Sequence, residues 1–452
     1  MDFRKILAVF LIVLIDLVGL TIVIPLLPLY ATSFGASAFT IGGLGATYPV
    51  MQLIGAPFLG RLSDRLGRKP VLLVSQMGTL AGFLILGFAD ALWLLFMSRL
   101  IDGLSGANFA TAQAAISDST PERSRTQALG LVGAAFGLGF IVGPLIAFVA
   151  LALSGNDYRV PAFVAAAFSL TSIVLTWLIF EETLPASRRW QTAEKRTFSP
   201  TALIQVLKNL AVGFLLVLMF AQQVAFGGLE QLLALFTLHR LGLNASGNAL
   251  VFIFVGMIVV AVQGGLIGPL SRGLGDRRLI YLGLALLAAG LLLTALTPRQ
   301  PVPGYSRQEL LLELSKARRI PGETPPTQHL QISLPDDSRS GWLGLGWLML
   351  AILPAAIGGG LLHPGINSLI TKRVPAGDIG GMLGMSAAFL SAGNALAPLI
   401  GGALFQRLGA SAPFLAGGLL IAFLYGISIY LIRPGVEETH PAADLLPSVD
   451  GD

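Results

Sequence analysis

Four ionisable residues lie inside long apolar stretches of this 452-residue chain, where an ionised side chain is costly to bury. Asp16 and Glu230 each stand alone in an apolar run, whereas Arg99 and Asp102 lie three residues apart in another. An apolar medium favours the protonated carboxyl group and a nearby cation favours the ionised one, so a small change in geometry can load or release a proton. These residues therefore indicate reversible proton binding.

The predicted roles of Asp16, Arg99 and Asp102 follow from their positions in the sequence. Asp16 has no basic neighbour in its own apolar run, so we expect it to carry the proton, with Arg99 tuning it from across a central cavity and Asp102 as a second titrating site. In the alternative, Arg99 and Asp102 neutralise each other, because side chains three apart on a helix are neighbours.

The apolar runs themselves must be membrane spans, since 54% of the residues are hydrophobic and about 20 apolar residues cross a bilayer as a helix. The runs lack the alternation of barrel strands, so helices are expected. The predicted fold is an all-α membrane protein of twelve transmembrane helices in two six-helix bundles. The predicted spans are 6–29, 39–60, 70–89, 92–116, 127–151, 160–180, 210–238, 247–270, 278–297, 342–370, 379–404 and 411–433.

Lysine and arginine concentrate in the loops on one side of these spans, which predicts a cell-membrane protein with both termini in the cytoplasm. The net charge of +5 follows from this topology, so nucleic acid is not an expected partner. The first run has full span length and no cleavage-site pattern, and it is expected to stay as an anchor.

Five segments follow from the spans. Residues 1–180 and 210–433 form the two bundles, joined by a polar cytoplasmic linker at 181–209, and residues 434–452 form a cytoplasmic tail. An insertion at 298–341 lies on the opposite side of the membrane. Ser306 and Glu309 fit a capping box there, and the leucines that follow predict a short surface helix; an unstructured insertion is the alternative.

The two bundles repeat each other in sequence. "GRLSDRLGRKPVL" at 60 matches "GPLSRGLGDRRLI" at 268, an offset of 208, and "GFIVGPLIAF" at 139 matches "GNALAPLIGG" at 393, an offset of 254. The offsets differ by about the length of the insertion. The chain is therefore predicted to be a duplicated unit, as in transporters with parallel repeats.

These motifs resemble the major facilitator superfamily, and within it the twelve-helix drug:proton antiporters near the tetracycline exporters. "GRLSDRLGRKP" fits the superfamily signature between helices 2 and 3 at its fixed positions, and "SRLIDGLSGA" at 98 and "GLGFIVGPLI" at 137 resemble the helix 4 and helix 5 motifs. Asp102 replaces the usual glutamine, and Ala147 and Phe148 replace a glycine pair. The ninth span lacks the acidic residue of the tetracycline exporters, which argues against tetracycline as the cargo.

The resemblance implies a conformational gate that biases alternating access, in which Asp64 and Arg68 form a charge relay with Asp118. In the alternative, the charges only enforce topology, although the aspartates contribute nothing to that role. The predicted gate residues are Gly60, Asp64, Arg65, Gly67, Arg68 and Asp118.

Polar and aromatic residues within the spans predict a substrate cavity, or else they bond to one another between helices. No zinc-site spacing, Walker loop or dinucleotide motif is present, so the chain is not expected to be an enzyme or to use a cofactor or metal. It is expected to be a monomer driven by a proton gradient. The predicted cavity residues are Gln113, Gln223, Phe226, Glu230, Asn367 and Asn394.

The leading functional prediction is proton-coupled efflux of amphipathic drugs or related small molecules, which the helix 5 motif favours. The alternative is proton-coupled uptake of a metabolite such as a sugar or organic anion. A receptor or scaffold of the same fold, without solute flux, is a third possibility.

Overall fold

The computed structural model describes residues 3–106, 108–118, 125–184, 210–317, 331–337, 340–374 and 379–432. Every regular element in these ranges is a helix. The first eight helices, called here the N-half, are α1 Phe3–Val23, α2 Leu27–Ser33, α3 Ala38–Leu66, α4 Arg68–Gly87, α5 Leu92–Ser105, α6 Asn108–Asp118, α7 Arg125–Ser154 and α8 Arg159–Ile179.

The remaining helices form the C-half. A π-helical turn, Val262–Leu266, joins two of them, and the second of these two bends at Gly275. The helices of the C-half are α9 Leu210–Leu241, α10 Ala245–Ala261, α11 Ile267–Ala295, α12 Arg307–Ala317, α13 Leu343–Lys372, α14 Ile379–Leu408 and α15 Ala412–Leu431. Most of the predicted linker and all of the predicted tail lie outside the described residues.

Nine helical stretches in the described ranges are long and apolar enough to cross a membrane. One of them, Ala245–Ala295, contains the bend at Gly275 and covers two predicted spans. The second predicted span is helical in α3, but glycine, proline and polar residues dilute its hydropathy, and the fourth is divided between α5 and α6. The helical membrane architecture is confirmed, and the count of twelve spans stays a prediction.

Local sequence signals explain where two of the helices begin. The side chain of Ser37 accepts a hydrogen bond from the Thr40 amide at 3.2 Å and caps α3, and that of Asn244 accepts one from the Gly247 amide at 3.0 Å and caps α10. Both are N-cap residue types that satisfy amides left free at a helix start.

The two halves pack together at one end of the bundle, which we call the insertion face because it carries residues 298–317. There α3 meets α14, with Gly42 and Gly45 against Pro398, and α7 meets α10, with Gly256 against Phe140. Apolar residues of both halves join in one continuous core at this end.

The opposite end, called here the gate face because it carries residues 60–69, is open between the halves. Gly60 lies 18 residues, or five helical turns, after Gly42, and Gly384 lies about four turns before Pro398, so each shares a helix face with its partner. A Cβ atom at either Gly60 or Gly384 would have no neighbour within 4 Å. The same helix faces that meet at the insertion face are therefore apart at the gate face.

The insertion contains a helix, α12, where the sequence predicted one. The Ser306 side chain accepts a hydrogen bond from the Glu309 amide at 3.3 Å, which is half of the predicted capping box. Leu310 and Leu314 are buried. The alternative of an unstructured insertion is wrong for residues 307–317, and residues 318–330 lie outside the described ranges.

Candidate proton site, gate and substrate cavity

Asp16 lies in α1 and its side chain contacts α4 within the N-half. One carboxylate oxygen accepts a long hydrogen bond of 3.4 Å from Nε2 of Gln76, and the other is buried without a hydrogen-bond partner. Gln76 in turn donates to the Ser172 hydroxyl of α8 at 2.8 Å. A carboxyl group with an unused buried oxygen can take up a proton there without breaking a hydrogen bond, so the environment suits the predicted proton carrier.

Arg99 and Asp102 pair with each other on α5, with 3.1 Å between Nη1 of Arg99 and Oδ2 of Asp102. Both side chains are buried; the guanidinium lies 5.6 Å from the ring centre of Phe83, and Thr79 bonds to the Asp102 carboxylate. Arg99 pairs with Asp102 and not with Asp16 in the described ranges, and its predicted tuning of Asp16 from across the cavity stays a prediction. The reason for the pairing is local: residues three apart on a helix point to one side, and here that side packs against α4.

The gate residues converge on Arg68, the first residue of α4. Its guanidinium lies 2.6 Å from an Asp64 carboxylate oxygen and 2.9 Å from an Asp118 carboxylate oxygen, and it donates to the Ser63 hydroxyl at 2.7 Å. Arg68 and Asp64 are buried, although both lie within three residues of Gly67, the single residue that connects α3 and α4.

The remaining predicted gate residues, Gly60, Gly67 and Arg65, differ in backbone conformation and in exposure. Gly67 takes a φ of 112° between α3 and α4, and Gly60 lies in open space on α3. Arg65 is exposed in the last turn of α3. Within this group, the charge relay implied by the resemblance has the required geometry, and its role as a gate stays a prediction.

Glu182 completes the gate and was missed by sequence reasoning, which placed it in the polar linker. Its carboxylate accepts the backbone amides of Arg68 at 2.8 Å and Lys69 at 3.1 Å, so it satisfies two amides at the start of α4. An anion at a helix N-terminus is also favoured by the helix dipole. In the sequence, the only sign of this role is that two glutamates, Glu181 and Glu182, directly follow the sixth predicted span.

The C-half repeats the gate with the charges exchanged. Asp276 follows Gly275, which takes a φ of 74°, and it accepts a hydrogen bond from Ser271 at 2.9 Å and pairs with Lys372 at 2.6 Å. Ser271 and Asp276 correspond to Ser63 and Arg68 at the offset of 208, and Lys372 corresponds to Asp118 at the offset of 254. The duplication therefore preserves the contacts of Arg68 with Ser63 and Asp118, with the positive and negative charges exchanged.

The predicted cavity residues of the C-half form two amide clusters. Gln223 of α9 donates to Asn394 of α14 at 2.6 Å, and Asn367 of α13 accepts from Ser386 of α14 at 2.7 Å. These bonds match the alternative in which the amides satisfy each other between helices, although each amide keeps further hydrogen-bonding capacity.

The other cavity residues differ in their surroundings. The ring of Phe226 packs against Gly359 of α13. The Glu230 side chain is partly buried and forms no hydrogen bond or ion pair within the described ranges. Gln113 belongs to α6, and its side chain lies outside the described residues. In the part of the chain that is described, no group of three or more histidine or acidic side chains is placed to hold a metal ion.

Comparisons with known proteins agree with this architecture. The chain is 27% identical to the class H tetracycline resistance protein of Pasteurella multocida over 405 residues, covering 88% of each chain. It is 28% identical to multidrug resistance protein 1 of Bacillus subtilis (strain 168) over 399 residues, covering 87% of each. A crystal structure of the nucleoside transporter NupG superposes with a TM-score of 0.66 at 11% identity, covering 96% of this chain and 100% of that one, which shows the fold alone.

The sequence profile of the Major Facilitator Superfamily matches residues 9–305. That range contains the gate, the predicted proton site and the first part of the second repeat. The chain therefore belongs to the Major Facilitator Superfamily and is a membrane transporter.

Proposed function

We propose that this transporter exports amphipathic drugs or related small molecules in exchange for protons. Asp16 carries the proton, the buried Arg99–Asp102 pair is its charged neighbour in the N-half, and the gate around Arg68 biases the alternation. The tetracycline and multidrug resistance proteins that it resembles support this class of cargo.

The observation that carries the proposal is the setting of Asp16. Its hydrogen-bonding neighbours, Gln76 and Ser172, are both neutral, and one of its oxygens is buried without a hydrogen-bond partner. A cation or a full set of donors would hold such a carboxylate permanently ionised. Without them, protonation and release can follow the small rearrangements that accompany alternating access.

The open gate face supports loading from that side. We propose that the gate face is cytoplasmic, as the distribution of lysine and arginine predicts, so that a solute reaches the cavity from the cytoplasm in this conformation. The ring of Phe226 and the amides of Gln223 and Asn394 then offer apolar and hydrogen-bonding contacts, and Glu230 attracts a cationic group.

Proton flux induced by a solute tests the exchange. Purified protein is reconstituted in proteoliposomes with a pH-sensitive dye, and amphipathic drugs are added to the wild type and to Asp16→Asn. We expect drug-dependent proton release from the wild type and a loss of at least about tenfold in Asp16→Asn, which keeps the shape but cannot ionise.

The matched control is Asp90→Asn, the same chemical change at an exposed loop position, which is expected to keep wild-type flux. If a sugar or an organic acid drives proton movement and none of the drugs does, the export hypothesis is wrong and proton-coupled uptake takes its place. Drug-driven flux that survives in Asp16→Asn would remove Asp16 from the coupling step.

A further inference from the structure

The insertion at 298–341 is held by the C-half, from which it arises. The Val302 amide donates to the Leu241 carbonyl at 3.1 Å, and within the insertion the Gly341 amide donates to the Pro301 carbonyl at 2.9 Å. The ring of Tyr305 packs directly on Gly242, at the end of α9. These contacts fix the start of α12 relative to the end of α9.

The apolar side of α12 reaches across to the N-half. Leu310 and Leu314 are buried, and α12 packs against α2, which lies at the insertion-face end of the first span. Glu309, in the first turn of α12, points to solvent. A helix that is anchored in one half therefore packs against the other, with its leucines in the core that both halves share.

Glu313 bonds to both halves at once. From the N-half, Nδ2 of Asn156 donates to its carboxylate at 3.0 Å and the Tyr158 hydroxyl at 3.1 Å. From the C-half, Nδ2 of Asn244 donates at 3.1 Å and the Ala245 amide also contributes. Asn156 and Tyr158 lie between α7 and α8, whereas Asn244 caps α10.

We infer that α12, through Glu313 and its buried leucines, is a latch that holds the insertion face closed while the gate face is open. The N-half and C-half must separate at the insertion face for the cavity to open there. Such a separation must break the bonds from Asn156 and Tyr158 to Glu313 and expose Leu310 and Leu314. The bond from Asn244 stays within the C-half and can survive.

The latch goes beyond the proposed function, because it concerns the conformational equilibrium and not the solute or the coupling ion. It can therefore be measured without either. The chain contains no cysteine, so spin labels attach only to cysteines that are introduced. Leu153 at the end of α7 and Leu408 at the end of α14 are 85% and 72% exposed, and they report the distance between the halves.

The experiment is pulsed electron spin resonance on the full chain in nanodiscs, with labels at positions 153 and 408. We expect the ratio of separated to closed populations to rise about fivefold in Tyr158→Phe, which loses one hydrogen bond, and further in Glu313→Ala. Tyr158→Phe keeps its ring against Tyr30, whose centre lies 5.9 Å away, so its fold is preserved.

The control is Glu309→Ala, which removes an exposed carboxylate one turn away on the same helix and is expected to leave the distances unchanged. If Glu313→Ala does not fold, Tyr158→Phe decides the question alone. Unchanged distances in Tyr158→Phe, or an equal shift in Glu309→Ala, would overturn the latch. A failure of drug-driven proton flux would leave this result intact.

Discussion

At the scale of single residues, the carboxylates of this protein differ mainly in the donors that reach them. Asp276 accepts from Ser271 and Ser368 and pairs with Lys372, so its ionised form is well supported. Asp16 has the neutral hydrogen-bonding neighbours Gln76 and Ser172, and one of its oxygens is buried without a hydrogen bond. The first arrangement suits a fixed charge in a structural contact, and the second suits a group that exchanges a proton.

Glu313 is intermediate and leads to a pH dependence. Burial raises the pKa of Glu313 above its ordinary value of 4.5, because desolvation outweighs the hydrogen bonds that favour the carboxylate. Once the latch is released, the side chain is solvated and its pKa returns to the ordinary value. Protonation therefore favours the closed state, fully below about pH 4.5, and this contribution is lost as pH rises through the raised pKa.

We expect the closed population of the wild type, measured with the labels at 153 and 408, to fall as pH rises through this window. In Glu313→Gln the population is expected to stay level. Tyr158 is titratable and in contact with Glu313. The other ionisable side chains nearby are Asp157 and Tyr30, which lie next to Tyr158, and Glu309, which lies one turn before Glu313 on the same helix. Since both proteins contain all four, the difference between their curves isolates Glu313, and parallel curves would contradict the assignment.

At the scale of elements, the turn between α3 and α4 determines where Arg68 lies. Gly67 occupies a φ of 112° and a ψ of 162°, a region that side chains with a Cβ atom avoid. This conformation lets α4 begin directly after α3, with Arg68 turned back towards Asp64. The equivalent Gly275 serves the repeat in the same way.

Gly67→Ala is expected to cost about 1–3 kcal/mol through backbone strain, which lowers the midpoint of thermal unfolding followed by intrinsic fluorescence in detergent. Gly60→Ala is the matched control, because Gly60 is helical and its surroundings are open; alanine there keeps or raises the midpoint through its better helix propensity. Equal midpoints for the two variants would show that the turn tolerates a side chain.

At the scale of the whole molecule, small residues allow the two halves to meet at the insertion face. Gly42 of α3 lies against Pro398 and Gly402 of α14 so closely that a Cβ atom on Gly42 would clash with the Pro398 carbonyl. Close approach of backbones through small residues is typical of helix contacts in membranes. The closed insertion face therefore depends on α3 and α14 as well as on the latch.

Gly42→Val is expected to prevent this closure, since the clash is with backbone. The labels at 153 and 408 would then report mainly the separated population, and drug-driven proton flux would fall at least about tenfold because alternation needs both states. Gly43→Val is the control, because the nearest atom to a Cβ there is a Phe96 ring carbon at 4.0 Å. A closed population retained in Gly42→Val would show that the helices adjust without separating.

The sequence by itself determined the features that depend on local periodicity and on composition. The apolar runs predicted membrane helices, the two offsets predicted a duplicated unit, and the motif at 60–70 predicted the superfamily. The contact of Arg68 with Asp64 could also be expected, because they lie four positions apart in the sequence across one tight turn.

The tertiary structure alone decided which side chains meet across helices. Asp16 lies beside Gln76, which is 60 residues away, and Glu313 bonds to Asn156, which is 157 residues away. Glu182 reaches the start of α4 from beyond α8. Sequence spacing fixes the face of a helix on which a residue lies, but the rotation and tilt of each helix are set by packing against its neighbours, so the partners of a side chain emerge only when the helices have assembled.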